Sequence, residues 1–342
     1  MEQWVPEYYD AFQCMAGSCP KSCCTGWEIC LDSGTAAFYR TVPGEFGVRL
    51  REKMKQDADG DLCFSMDGDR CPFLNRENLC EIHLQLGEEH TSQTCQTHPR
   101  FTEEYGPFCE THLSASCPAA AVLLLGDEGA MTYQRRECGG EPEPGDAWLE
   151  PLRFFRETLL KLLHNRAISV SERLCRVLAL AEKAQEALDR ETPEELYAIF
   201  AENIELPDGP EPEEPLFPAA WFQLEQLETL EKDWLPLLEQ CRQSSGALHC
   251  SDQAAERLMT YFLYRYLLKA VNDGDLLGKV QLSLFSVMVI RRLTAWETLC
   301  PAVYRYCREI EHDEENLAAL QEAFAWEVAF QPAAFYQELK MW

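Results

Sequence analysis

Positive charge is scarce in this chain. Its 342 residues carry 30 Lys and Arg against 58 Asp and Glu, a formal net charge of −28. The deficit runs the whole length: residues 1–140 hold 11 basic and 22 acidic side chains, and residues 141–342 hold 19 and 36. With neither half basic, the chain has no footprint for non-specific phosphate binding. The same field repels anionic membrane and favours a lysine-bearing partner, although a plain solvated surface is the commoner reason for such charge. A membrane-length apolar run is also missing. The longest near-apolar stretch, Val280 to Ile290, is broken by Gln281, Ser283 and Ser286, and is too short and too polar to span a bilayer. Met1 to Phe12 has three acidic residues and no Lys or Arg, so it lacks the basic and apolar regions of a signal peptide. These absences predict a cytoplasmic protein. In a reducing compartment, clustered cysteines are read as metal ligands before disulfides.

Three motifs are absent as well. No pair of Cys-x2-Cys elements marks a structural zinc site. No glycine-rich loop opens a Rossmann nucleotide site. No Cys-x3-Cys-x2-Cys triplet of the radical S-adenosylmethionine type is present: after Cys19-x3-Cys23 the next fitting position is Gly26. What the chain does have is 17 cysteines, twelve of them in the first 140 residues. The densest group reads Cys14-x4-Cys19-x3-Cys23-Cys24-x5-Cys30, followed by Cys71-x8-Cys80-x14-Cys95 and by Cys109 and Cys117. Thiolate is a soft ligand for iron–sulfur clusters and zinc. Adjacent cysteines seldom both bind one tetrahedral ion, whereas a larger cluster takes thiolates from separate loops. Spacing alone leaves iron–sulfur and zinc both open.

Composition changes near residue 140. Before it the chain is rich in Cys, Gly and short turns; after it the chain is Leu- and Glu-rich with helical spacing. Gly139 to Asp146 reads as a linker. The expected architecture is therefore mainly α: a small Cys-rich α+β metal-cluster domain over 1–140 with a short β-hairpin, then an all-α domain over 147–342. Leu62 to Phe73 reads as the hairpin, turning at Asp67-Gly68 and placing Cys63 and Cys71 on neighbouring strands. Asn75 to Asn78 reads as a turn leading to Cys80, and Glu81 to Leu86 as a short helix closed by Gly87. Asp57, Asp59 and Asp61 resemble the start of a calcium loop, but Gly60 is misplaced and no closing Glu follows, which leaves a solvated turn. Helices are expected over Trp148–Asn165, after the capping box Ser169/Glu172, after Thr192-Pro193, and over 219–243, 251–272, 275–299, 301–311 and 313–329. Pro207 to Pro218 holds five prolines and four acidic residues and reads as an exposed loop. Val280 to Leu293, apolar nearly all round, is the expected central helix.

The blocks FQCMAGSCPKSCCTGWEICLD, RCPFLNRENLCEIHLQLGEEH, TCQTHPR and LSASCPAAAVLLL resemble the flagellin lysine-N-methylase family, whose wider relatives are cysteine-cluster proteins regarded as zinc- or iron-binding. The resemblance is strong over about residues 8–125 and continues more weakly through the segment beginning at Tyr261. It implies methyl transfer from S-adenosylmethionine to surface lysines of flagellin, with flagellin as protein partner, and a [4Fe–4S] cluster in the protein, zinc being the alternative. Carried onto this chain, the metal-ligand candidates are Cys19, Cys23, Cys24, Cys71, Cys80, Cys95 and Cys117, with Cys23, Cys24, Cys80 and Cys95 foremost and Cys14 in the same first block. The donor site is not visible in the sequence.

Other residues in these blocks carry two readings each. Trp27, Tyr105 and Phe108 could line a lysine channel or shield a cluster, though aromatics more often pack in a core. His83, His98 and His112 follow Cys80, Cys95 and Cys109 and could be ligands or ordinary histidines. Glu28, Asp32, Arg100 and Glu110 are weak catalytic candidates: a carboxylate could orient or deprotonate the lysine, though a plain surface carboxylate is the commoner case, and Arg100 could neutralise a cluster or hold the donor's carboxylate, a surface ion pair explaining it equally. Cys30, Cys63, Cys109 and Cys138 are evenly balanced between ligand and packing roles. Cys175, Cys241, Cys250, Cys300 and Cys307 are read as inert packing thiols. A non-catalytic zinc or iron–sulfur scaffold or sensor is the competing function.

Overall fold

The computed structural model describes residues 1–57, 60–126, 129–200, 206, 212–244 and 246–342. Six strands form, β1 Glu2–Pro6, β2 Met54–Gln56, β3 Leu62–Phe64, β4 Arg100–Glu104, β5 Phe108–Leu113 and β6 Tyr133–Glu137. Five helices lie among them: α1 Ser33–Thr41, α2 Gly44–Lys53, α3 Glu81–Leu86, α4 Gln93–Thr97 and α5 Pro118–Leu125. Ten more follow: α6 Leu149–Leu163, α7 Val170–Asp189, α8 Leu216–Gln226, α9 Trp234–Gln243, α10 Asp252–Tyr266, α11 Ala270–Asp273, α12 Leu276–Leu293, α13 Leu299–Ile310, α14 Glu314–Trp326 and α15 Pro332–Lys340. The fold is mainly α with a small α+β N-terminal region, as the composition predicts.

Helix α12 is the hub. Nearly all its side chains are buried, because its sequence offers apolar groups on every face and its two serines bond back to their own helix, Ser283 to the Lys279 carbonyl and Ser286 to that of Leu282. It packs against α7, α10, α13 and α14. Helix α7 begins at the expected cap, where the Ser169 hydroxyl accepts from the Glu172 N–H. The expected helix over 219–243 is instead two. The break falls between α8 and α9, where the N–H groups of Leu230 and Glu231 bond the buried Glu309 carboxylate and that of Glu228 bonds Asn316. Tertiary partners there outbid the next helical turn. Thr192 does not cap a helix either: its hydroxyl donates to the Ala187 carbonyl, and Pro193–Ala198 forms only a 3-10 turn. Helix α15 was not among the expected ones. Of the proline-rich stretch, residues 207–211 lie outside the described residues, and its last part opens α8.

The compositional break at 140 does not separate the cores. A four-stranded sheet, ordered β4-β5-β1-β6, holds β1 parallel to β5 and antiparallel to β6. Its inward residues, such as Phe108 and Leu113, share one core with the helices, together with Tyr8 and the apolar face of α5. This sheet was not foreseen, since β1 finds its partners more than 100 residues away. A second, much smaller core is built from Ile29, Leu31, Tyr39, Val42, Leu50, Phe64, Cys71, Phe73 and Ile82. Gly139–Asp146 holds no helix or strand.

The foreseen hairpin is the main correction. Asp67 and Arg70 do exchange both backbone hydrogen bonds around a tight turn. The arms, however, pair elsewhere. Strand β3 lies between β2 and the segment Ile29–Leu31, whereas Arg70–Cys71 pairs with Cys24–Thr25. Cys63 and Cys71 are therefore not cross-strand neighbours; Cys63 faces Cys30 and Cys71 adjoins Cys24.

A buried ion pair ties the sheet to the helices. Glu110 on β5 meets the Arg156 guanidinium of α6 through two hydrogen bonds, and both side chains are almost wholly enclosed. The Arg156 guanidinium also lies 4.0 Å from the Tyr264 ring centre. Removing one partner strands a buried charge, at a cost of about 3–5 kcal/mol. Arg156→Ala is expected to lower stability by about that amount in urea denaturation, and by clearly more than Arg153→Ala on the more exposed side of the same helix.

Candidate functional site: a nest of cysteine thiols

Four short segments bring the foremost thiols together. The Cys71 N–H donates to the Cys24 carbonyl at 2.8 Å, and the Gly26 N–H to the Asp69 carbonyl at 2.8 Å, so residues 24–26 and 69–71 run side by side. Gly26 has φ +94°, a conformation that favours glycine. From Cys71 the chain turns at Asn75, whose side chain accepts from the N–H groups of Glu77 and Leu79. The Glu81 N–H then bonds the Phe73 carbonyl at 2.8 Å, which sets Cys80 at the start of α3, the short helix closed by Gly87. Cys95 sits in α4, whose cap is Ser92. Asp32 joins the two sides: its carboxylate takes the N–H groups of both Thr35 and Gln93.

The sulfurs of Cys24, Cys71, Cys80 and Cys95 lie close enough to perturb one another's ionisation, and Cys23 is within reach of Cys24 and Cys95. Backbone N–H groups aim at several of them: Phe73 at Cys71, His83 and Ile82 at Cys80, and Ser92 at Cys95. Such donors stabilise thiolate and tune clusters. Burial nevertheless dominates. It pushes the Cys71 thiol up to about 12 and Cys95 up to about 11, and raises Cys80 too. Cys24 is the exception, lowered to about 7 by the hydrogen bond from Cys23, helped by the Ser22 hydroxyl and Arg70. Cys23, as the donor in that pair, is raised. Among the described residues no three of these sulfurs lie within 4.8 Å of one another.

A second thiol group adjoins the first. Cys117, at the start of α5, senses Cys19 and Cys14, and Cys19 senses Cys14 and Cys24. The candidate cysteines thus fall into a nest of five, Cys23, Cys24, Cys71, Cys80 and Cys95, and a flank of three, Cys14, Cys19 and Cys117. Cys30 pairs with Cys63, with 3.0 Å between sulfurs, and Cys109 with Cys138 at 3.8 Å. Cys175, Cys241 and Cys307 are buried among the helices and Cys250 and Cys300 are half-buried there.

The helical body closes over the nest through one arginine. Arg308 of α13 lies 4.1 Å from the Trp27 ring centre, donates to the Thr25 carbonyl at 2.9 Å and pairs with Glu231 at 3.1 Å. Trp27 in turn donates to the Cys23 carbonyl at 2.8 Å and lies 5.7 Å from His98 and 6.0 Å from His312, ring to ring. Sequence reasoning missed Arg308, Glu231 and His312, which come from the far part of the chain with no local motif. His98 is held down to about 4 by burial and by Arg308, so it is neutral at pH 7.

The remaining candidates have other positions. Arg100 stacks over Phe12 and Tyr9, 5.0 and 5.7 Å from their ring centres. Asp32 is lowered to about 2 by its backbone donors, and Glu110 is committed to Arg156. His112 is buried and bonds the Tyr133 hydroxyl at 2.9 Å. Tyr105 packs on Phe108, ring to ring at 5.4 Å. His83 lies in α3 with its N–H towards Cys80. Glu28 lies by Asp57 and Cys63.

The converging side chains are of the donor type that soft metals take. Two proteins named lysine-N-methylase, from Salmonella typhimurium (strain LT2) and Salmonella choleraesuis (strain SC-B67), are each 28% identical over 139 residues, covering 38% of this chain and 34% of the relative. A flagellar biosynthetic protein FliU from Salmonella muenchen is 29% identical over 140 residues, covering 39% of this chain and 82% of that protein. Over about 140 residues the chain is thus similar to proteins named lysine-N-methylase and FliU, and it spans about a third of the length of the lysine-N-methylases it matches. No family model matches the chain, and no solved structure does.

Two outcomes follow from the thiol geometry. In metal-free protein, Cys24 is expected to be alkylated faster than Cys80 or Cys95, with a rate that rises through pH 7 and falls below it as the thiolate is protonated; peptide mapping after iodoacetamide pulses measures this. Cys24→Ser, Cys80→Ser or Cys95→Ser should abolish iron loading, read by iron and acid-labile sulfide analysis, while Cys241→Ser should load normally.

Proposed function

We propose that this protein is a lysine N-methyltransferase that transfers methyl from S-adenosylmethionine to surface lysines of flagellin in the cytoplasm, with a [4Fe–4S] cluster held by the thiol nest. The observation that carries the reading is the convergence of Cys23, Cys24, Cys71, Cys80 and Cys95 in a chain whose relatives are named lysine-N-methylase and FliU. The nest fits such a cluster. Sulfurs around a single tetrahedral zinc stand about 3.8 Å apart, given Zn–S bonds of about 2.3 Å; no three of these come within 4.8 Å among the described residues. Sulfur-directed N–H groups and Arg70 offset the negative charge that four thiolates would bring. No described helix is long and apolar enough to cross a membrane.

Held by three rather than four of these thiolates, such a cluster would leave one iron free for the donor's amino and carboxylate groups. The protein's own part is to orient the lysine and take its proton, because the ammonium has no lone pair and its ordinary pKa is near 10.4. Asp32 and Glu110 are poor bases here, the first held to about 2 and the second locked to Arg156. Glu28 is exposed, and its carboxylate lies beside Asp57 and Cys63.

A non-catalytic iron–sulfur or zinc scaffold is the second reading. It is compatible with where two cavities lie: one of about 230 Å³ between Glu103 and Lys269 and one of about 410 Å³ between Arg166 and Glu256 are both lined without cysteine. The deciding experiment incubates anaerobically purified protein with flagellin monomer and S-adenosylmethionine. Mass increments of one methyl group on flagellin lysines are expected, with transfer weakening as salt rises, since a chain of charge −28 attracts a lysine-rich surface. Brown protein that binds the donor but modifies no flagellin would point to another acceptor. Colourless protein with one tight zinc and no donor binding would establish the scaffold.

A further inference from the structure

Away from the nest, the strand Ile29–Leu31 pairs with β3, and β3 pairs with β2. Side chains alternate between the two faces of this ribbon. Ile29, Leu31 and Phe64 turn into the small core. Cys30 and Cys63 stand directly opposite one another on the other face. The flanking hydrogen bonds, Leu31 N–H to Leu62 at 2.7 Å and Phe64 N–H to Ile29 at 3.0 Å, make theirs a non-hydrogen-bonded pair, in which side chains lie closest. Glu28 is two residues before Cys30 and so shares its face. Asp57, two residues beyond Lys55, shares the face of Cys63, because Lys55 is the residue opposite Cys63.

The side chains converge accordingly. A carboxylate oxygen of Glu28, one of Asp57 and the Cys63 sulfur all lie within 4.8 Å of one another, among the described residues the one such group of three. The Cys63 sulfur is 3.0 Å from that of Cys30 and 3.6 Å from Asp57 Oδ2. Asp57 is itself oriented, since its Oδ1 accepts from the Asp61 N–H at 2.8 Å. Lys55 is exposed on the neighbouring strand and brings a single positive charge to this face.

We propose that Glu28, Cys30, Asp57 and Cys63 form a second metal site, which takes a zinc-class divalent cation through two thiolates and two carboxylates, separate from the thiol nest. Glu28, Asp57 and Cys63 form the compact part of the set; the Cys30 sulfur adjoins Cys63 at 3.0 Å but does not come within 4.8 Å of all three, so it would complete the shell by turning its exposed side chain inward. Two soft sulfurs and two hard oxygens suit a borderline ion with no geometric demand of its own. Binding releases the two thiol protons to solvent. The cation would also relieve the crowding of Cys63 against Cys30 and Asp57, which together with burial raises its pKa. The site owes nothing to the methylase reading, and none of its four residues belongs to the nest.

The test uses the full chain prepared anaerobically, incubated with Zn²⁺ alone, desalted and analysed for zinc and iron, then repeated with Co²⁺. Wild type is expected to hold one zinc equivalent more than either Cys30→Ser or Asp57→Asn, with iron unchanged between them, and to show a thiolate-to-cobalt charge-transfer band that both variants lack. Cys30 is exposed and Asp57→Asn keeps the side chain's shape, so neither change empties the small core; circular dichroism checks the fold. Equal zinc in all three proteins overturns the proposal. So does recovery of Cys30 and Cys63 joined by a disulfide in the anaerobic preparation. The difference in zinc is read whether or not iron is present, so failure of the cluster assignment leaves this result interpretable.

Discussion

Thiolates held together repel one another, and burial makes each charge dearer. In this protein four sulfurs share a partly enclosed space, and Cys71, Cys80 and Cys95 are raised above the ordinary thiol range by enclosure and by one another. Without a cation Cys71, Cys80 and Cys95 hold their protons more firmly than free thiols do; with the proposed metal bound, the same sulfurs would become an anchor. The local apolar core is too small to replace that anchor. Nine buried side chains serve the loops from Ile29 to Ile82, and small cores of this kind commonly lean on metal for folding energy. Loop geometry between residues 23 and 97 is best understood as shaped to present sulfur.

The helical body contributes rigidity and a fixed charge. The sheet that begins with β1 belongs to the helical core, so the cysteine loops are flanked on both chain sides by the same packed body. Glu309 shows how firmly that body holds its irregular parts. Its carboxylate, raised to about 7 by burial, accepts the N–H groups of Leu230 and Glu231. That loop supplies Glu231, which binds Lys21 at 2.7 Å as well as Arg308. A loop remote in sequence thereby grips the cysteine segment directly.

Much of this was legible in the residues. Cysteine density announced the nest, and helical periodicity announced α6, α7 and α12, because both signals are local. The turn at Asp67-Gly68 was also read correctly, yet its strands were not. A turn fixes where the chain reverses, whereas pairing partners are decided by competition among all available edges, and Cys24–Thr25 and Met54–Gln56 won. The four-stranded sheet was hidden for the same reason: Glu2–Pro6 has no nearby partner and a polar outward face. Helix α8 ends because Glu309 and Asn316 bind the next backbone N–H groups, something no window around residue 228 contains. Arg308 was invisible for a like reason, since its partner Trp27 lies 281 positions upstream.

That separation has a consequence for how the protein is made. Chains emerge from the ribosome N-terminus first, at roughly 5–20 residues per second, so the roughly 200 residues between Cys95 and Arg308 take roughly 10–40 s to appear. During that interval every thiol of the nest has been synthesised, while the arginine that lies on Trp27 and ties down Thr25 does not yet exist. The nascent nest is open on that side. A metal offered in that interval would meet the thiols before Arg308 exists to lie on Trp27 and bond Thr25, so the direction of translation alone would favour insertion ahead of closure.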